Sequence, residues 1–242
     1  MEKFFFVGED AGEVSDEGAG KKRVCVRAPE GATGELPVVY LNVYQGDGAE
    51  AWARLAELGC GPLALVTVGG IDWERDMTPW PAEPATRNEP AYTGGAGDYL
   101  QKLTGSIVPA AEAELAQADI APAWRGIAGY SLAGLFALWS LWETPAFSRV
   151  ASVSGSLWFP GLLDWCAGRP LAASPDVAFL SLGKKEHKTP NRMMRGVLDA
   201  TRGFEALLRE RGVETTLELN PGNHFCEPDA RTARGIAWLL RA

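Results

Sequence analysis

The sequence has only two histidines, His187 and His224, so any chemistry that needs an imidazole must use one of them. It has four cysteines, Cys25, Cys60, Cys166 and Cys226, with no C-x-x-C pair and no metal-ligand spacing. That pattern excludes a disulfide scaffold, and the thiols read as small packed groups in a reducing compartment. Cys226 lies two residues from His224, but neighbours that close seldom orient as a catalytic pair. Basic residues are also short: 23 Lys and Arg stand against 31 Asp and Glu, a formal charge of −8. A chain this acidic repels phosphate and anionic lipid, which argues against nucleic acid or a membrane surface as partner. No stretch approaches the roughly 20 apolar residues that span a bilayer. The run Phe4-Phe5-Phe6-Val7 is too short for a signal peptide and acid follows it at once, so a cytoplasmic setting is expected.

What the sequence does have is enough apolar residue for a sizeable core, 46% of 242 positions. Strand-like and helix-like runs alternate. Lys3–Gly8 and Arg23–Ala28 read as a hairpin separated by a polar, Gly-containing stretch. Leu36–Tyr44, Leu63–Gly69 and Val177–Leu182 read as buried strands, and Trp124–Tyr130, Val150–Ser154 and Glu214–Leu219 as further strands. Helical character falls on Ala49–Leu58, Gly97–Gln117, Leu132–Trp142, Asn191–Arg211 and Asp229–Arg241, and Leu157–Gly168 is mixed. Gly70–Gly97, rich in Pro, Gly and Trp, reads as a long loop of the kind that is functional when ordered. About eight strands, six of them alternating with helices, predict an α/β fold with a mostly parallel sheet covered on both faces. No linker or repeat divides the chain, so one domain over residues 1–242 is expected. Ligands of such sheets bind at the carboxyl ends of the strands.

The sharpest local signal is Gly129-Tyr130-Ser131-Leu132-Ala133-Gly134, between a strand and an apolar helix. This is the setting of a nucleophile elbow, G-x-S-x-G, with Ala133 in the last glycine's place. Small residues two positions either side of the serine leave room for a strained turn. The Leu132 N–H then sits at a helix N-terminus, where it can face a developing oxyanion. A helix N-cap serine would need no chemistry, but the strand–turn–helix context favours Ser131 as a nucleophile. In such folds the order is Ser, acid, His. His224 lies in the loop Asn220–Phe225 after the last strand, and Glu186 lies after the strand Val177–Leu182. Chain order therefore favours Ser131, Glu186 and His224, with His187 a solvated loop neighbour of the acid. Lys184, Lys185 and Lys188 would equally suit a surface ion pair for Glu186. Asp76 and Trp80, in a segment mixing aromatics and charge after a strand end, are candidates to line a substrate pocket. Packed tryptophans of a covering loop are the other reading.

The segments GYSLAG, SGSLW (Ser154–Trp158), LGKKE (Leu182–Glu186), NPGNHF (Asn220–Phe225) and TGGA-x-DYL (Thr93–Leu100) resemble the esterase family of α/β hydrolases. That family holds enterochelin esterases, salmochelin trilactone hydrolases, feruloyl and acetyl-xylan esterases and esterase D. The resemblance runs from about Leu36 to Ala242. It implies the α/β-hydrolase fold, with Ser131 as nucleophile, His224 as base and Glu186 as acid. Trp158 resembles the aromatic beside the active site in siderophore esterases. Because the family includes Ser–His dyads, a triad and a dyad both stay open. The sequence departs from the family in one place. Many members carry a His-Gly pair after the third strand, whereas this chain reads Tyr40-Leu41-Asn42-Val43-Tyr44-Gln45-Gly46-Asp47. A second oxyanion N–H would then come from Tyr44 or Gln45. The expected activity is hydrolysis of siderophore-type or other small esters through an acyl-enzyme, with no cofactor and no metal. The rivals are an acyltransferase on the same scaffold, or a binding protein that has lost catalysis.

Overall fold

The structure is a computed structural model and describes residues 1–8, 14–15 and 21–241. Most of the polar stretch expected between the first two strands, and Ala242, where the resemblance ends, lie outside the described residues. In chain order the strands are β1 (Glu2–Val7), β2 (Val14–Ser15), β3 (Lys22–Arg27), β4 (Gly34–Asn42), β5 (Ala64–Gly69), β6 (Pro81–Ala82) and β7 (Tyr92–Thr93). There follow β8 (Ile120–Tyr130), β9 (Arg149–Val153), β10 (Val177–Gly183) and β11 (Glu214–Asn220). The helices are α1 (Ala49–Glu57), α2 (Trp73–Asp76), α3 (Ala96–Lys102), α4 (Val108–Ala116), α5 (Leu132–Glu143), α6 (Leu162–Ala167), α7 (Arg192–Arg195), α8 (Val197–Glu210) and α9 (Pro228–Leu239).

Among the described residues nine strands form one sheet in the order β11-β10-β9-β8-β4-β5-β3-β1-β2. Eight of them are longer than two residues, in line with the expected number. From β11 to β5 neighbours run parallel, and β3, β1 and β2 add an antiparallel edge. Alternation along the central strands sorts side chains to two faces. Val38 and Tyr40 join the core on one face, with Phe136 of α5 and Tyr99 of α3. Val39 and Leu41 join the other, with Leu55 of α1 and Ile236 of α9. Helix α5 is buried from Leu132 to Trp142, which explains why its sequence is apolar all round.

Three local details differ from the sequence expectation. The helix over Gly97–Gln117 contains a π turn at Leu103–Ile107. Pro109 has no N–H to give to the carbonyl of Gly105 and crowds it, so the ladder widens there. The helix over Asn191–Arg211 is divided at Gly196 into α7 and α8. The segment Gly70–Gly97 holds α2 and an antiparallel β6–β7 ribbon rather than one continuous loop. Its anchor is polar. Asp76, 1% exposed, accepts from Lys22 Nζ at 2.5 Å, Arg75 Nη1 at 2.9 Å and the Asp72 N–H at 3.1 Å. Among the described residues no helix is long and apolar enough to cross a membrane.

Candidate active site

Ser131 joins β8 to α5 in a conformation that strains any residue with a side chain, φ 59° and ψ −124°. The small neighbours of the elbow permit it. A Cβ on Gly129 would lie 2.3 Å from the carbonyl carbon and oxygen of Ala133, and one on Gly134 would lie 2.9 Å from the Gly129 oxygen. Ala133 therefore fits where the G-x-S-x-G pattern has glycine. The serine is held from both sides by backbone: its N–H donates to Val153 O at 3.1 Å, and its carbonyl accepts from Ser156 N at 3.0 Å. Among the described residues the Leu132 N–H, in the first turn of α5, has no hydrogen-bond partner.

His224 stands in the loop between β11 and α9. Its Nε2 lies 3.1 Å from Ser131 Oγ and its Nδ1 lies 2.8 Å from Glu186 Oε2. Glu186, in the loop after β10, has a side chain only 5% exposed. Burial pushes its carboxyl up. The hydrogen bond and charge of His224, the Gly183 N–H at 2.6 Å and the Ser154 hydroxyl more than offset this, and hold it below the ordinary carboxylate value. The Glu186 loop and the His224 loop are stitched together, with Lys184 N donating to Asn220 O at 2.8 Å and Lys185 N to Gly222 O at 2.9 Å.

Two cavities, of about 430 and 480 Å³, meet at Ser131, and Trp73, His224 and Phe225 line both. Trp158 and Tyr92 line the first, and Tyr44 and Gln45 line the second. Phe225 is 85% exposed at the mouth, and Tyr44 packs edge-on against Trp73 with ring centres 5.1 Å apart. The structure thus gathers Ser131, His224, Glu186, Leu132, Tyr44, Gln45 and Trp158 in one place.

Asp76 and Trp80, expected from the sequence to line a substrate pocket, line neither of these two cavities. Asp76 is spent on Lys22, Arg75 and the Asp72 N–H. Trp80 packs against Phe159 and Trp165 and donates Nε1–H to Pro160 O at 3.0 Å. His187 also differs from the solvated neighbour expected: it is half-buried, and its Nδ1 is shut off from solvent with no partner among the described residues. The sequence reading missed Ser156, Tyr130 and Arg231. Ser156 Oγ lies 3.4 Å from Ser131 Oγ, and Tyr130 OH donates to His224 O at 2.5 Å. Arg231, 1% exposed, bonds Glu186 from behind. A signal for it existed: Arg231, Gly235 and Leu239 recur every four residues on the inward stripe of α9, and a charge on such a stripe needs buried partners. Among the described residues one group, Glu2, Cys25 and Asp47, has metal-like spacing. The Arg27 guanidinium already bridges its two carboxylates, at 2.6 Å and 2.7 Å.

Comparison with known proteins agrees with this architecture. A protein of Bacillus subtilis (strain 168) called YbbA, itself uncharacterised, is 25% identical over 94% of this chain and 96% of its own length. An IroE-like serine hydrolase from Shewanella oneidensis shares the fold, with a TM-score of 0.73 and 20% identity over 92% of this chain and 76% of that one. The siderophore hydrolase EstA of Aspergillus nidulans superposes with a TM-score of 0.72 and 18% identity, over 99% of this chain and 94% of that one. The enterobactin esterase FES of Shigella flexneri does so at 0.64 and 20% identity, over 92% of this chain and 56% of its own. The model of the family described as "Putative esterase" matches residues 16–190, well over half of the chain. With an α/β-hydrolase fold and that match, the chain belongs to this esterase family and is a carboxylic-ester hydrolase.

Proposed function

We propose that the chain is one serine-hydrolase domain over residues 1–242 that cleaves small esters through Ser131, His224 and Glu186. The observation that carries this is the hydrogen-bonded chain from Ser131 Oγ to His224 Nε2 at 3.1 Å and from His224 Nδ1 to Glu186 at 2.8 Å. His224 takes the Oγ proton as Ser131 attacks the ester carbonyl. The oxyanion is held by the Leu132 N–H and a second N–H from the Tyr44–Gln45 segment. Collapse expels the alcohol, which leaves with the proton carried by His224. A water deprotonated by His224 then attacks the acyl-enzyme, and its collapse returns the proton to Ser131. Glu186 remains a carboxylate throughout, fixes the tautomer of His224 and stabilises the imidazolium.

Cavities on both sides of the nucleophile suit an ester with a sizeable group on each side of its scissile bond. The likeness to siderophore hydrolases suggests that siderophore-type esters are among these. The complete hydrogen-bonded chain and the open Leu132 N–H favour an active enzyme over an inert binding scaffold. Hydrolysis of a short p-nitrophenyl ester tests this. Ser131→Ala and His224→Ala each lose nearly all turnover, and Ser131→Ala also loses labelling by a fluorophosphonate. His187→Ala keeps its activity. Full activity in Ser131→Ala refutes the mechanism.

A further inference from the structure

Arg231 has a position that stability alone does not explain. It sits in the first turns of α9 with 1% exposure, and its side chain meets four separate strand-end segments. Nη1 donates to Glu186 Oε1 at 3.3 Å, to Ser154 Oγ at 3.2 Å and to Tyr130 OH at 3.4 Å. Nη2 donates to Pro221 O at 2.7 Å, and Nε has no partner among the described residues. Those partners follow or end β10, β9, β8 and β11 in turn. Desolvating a guanidinium is costly, and well-packed apolar side chains in place of a buried ion pair are often neutral or stabilising. A stability account would therefore favour an apolar residue here.

The two arms that leave Arg231 close on one imidazole. Through Nη1 it meets Glu186, whose other oxygen takes the His224 Nδ1 contact at 2.8 Å. Through the same nitrogen it meets Tyr130, whose hydroxyl donates to the His224 carbonyl at 2.5 Å. One arm thus reaches the ring of His224 and the other its backbone, and Pro221 pins the loop that carries it. Tyr130 is also the residue before Ser131, so the same guanidinium ties the nucleophile's turn to the base's loop. Nη1 carries both arms while Nη2 holds Pro221, and the rigid guanidinium fixes the two nitrogens relative to each other. A guanidinium offers several donors in one rigid plane, where a lysine offers one point charge.

We infer that Arg231 is the positioning residue of this site: it sets His224 against Ser131 by holding Glu186 on one side and Tyr130 on the other. This rests on the reading of Ser131, His224 and Glu186 given above. It touches no reacting atom, so its loss should lower kcat and leave KM nearly alone. Misplacing a catalytic group by about 1 Å from a distance costs about 100-fold, which is the fall expected for Arg231→Met.

The test is steady-state hydrolysis of p-nitrophenyl acetate by Arg231→Met, Arg231→Lys, Glu186→Gln and the two double variants, with circular dichroism to show folding. Arg231→Met should lose kcat at constant KM, and Arg231→Lys should lose less, since it keeps the charge. In the Glu186→Gln background the arginine changes should cost less than in the native chain, because one of the two arms is already broken and residues that act as a unit are not additive. If Arg231→Met does not fold, Arg231→Lys and its double variant carry the same comparison. Effects of Arg231 and Glu186 that multiply, or a kcat unchanged in a folded arginine variant, overturn the inference. Ser131→Ala is the control. Full activity there overturns the reading of the site itself, whereas loss there beside an unaffected Arg231 variant overturns this inference alone.

Discussion

Replacing Asp76 by asparagine separates two roles for that residue. Its position after a strand end, among tryptophans, suits a substrate pocket, while its surroundings make it a strut under the Gly70–Gly97 segment. The side chain of Asp76 is 2% exposed and that of its partner Lys22 is 10% exposed. Breaking a buried pair from one side costs about 3–5 kcal/mol, because the remaining charge loses its counterion in a dry place. Asparagine keeps one acceptor oxygen, and Lys22 keeps Gly70 O at 3.0 Å, so the lower end of that range applies. A domain of this size loses about 2 °C of melting temperature per kcal/mol, which gives a fall of about 6 °C. The assay is a thermal melt at neutral pH beside ester kinetics. Asp76→Asn should melt lower with unchanged KM, and Lys22→Met with Asp76→Leu should recover much of the loss. An unchanged melt with a several-fold higher KM would show that Asp76 touches substrate, and the reasoning from burial would be wrong.

Two further outcomes follow from the site. Gly129→Ala would bring a Cβ to 2.3 Å from the Ala133 backbone. Backbone must then move, and a shift of about 1 Å at the elbow costs about 100-fold in kcat. Glu186→Gln tests a pH dependence. The carboxyl of Glu186 is held below its ordinary value of 4.5, so the stability it lends is full above that pH and drains as pH falls through the lower folded value. The melting-temperature gap between the native chain and Glu186→Gln should therefore be widest near neutrality and narrow below pH 4.5. A gap that widens in acid would contradict the depressed value.

Much of this was legible because its causes are local. The elbow needs small side chains at Gly129, Ala133 and Gly134, and a motif that short can be read off the chain. Parallel strands such as β5 and β10 show as apolar runs because both their faces are covered. Chain order then paired Glu186 and His224 with Ser131, two loops that only the sheet brings together. What escaped the reading depends on distant partners. Asp76 looks like a pocket residue until Lys22 is known to lie against it, and those two are 54 residues apart. Arg231 meets Tyr130 across 101 residues. The π turn was visible in principle, since Pro109 sits inside a helical pattern. The ribbon β6–β7, two residues to a strand, is too short for any periodicity to register.

The spacing of the site along the chain also bears on how the protein reaches its working state. Ser131 and His224 are 93 residues apart, and Glu186 and His224 are 38 apart. Their side chains meet only when β8, β10 and β11 stand in one parallel sheet. Closing loops of that length costs entropy before any contact repays it, so these are slow steps of folding. A collapsed intermediate with native helices would still lack His224 beside Ser131. Recovery of fluorophosphonate labelling during refolding would then lag behind recovery of helical signal, and the enzyme would keep its own clock of completed assembly.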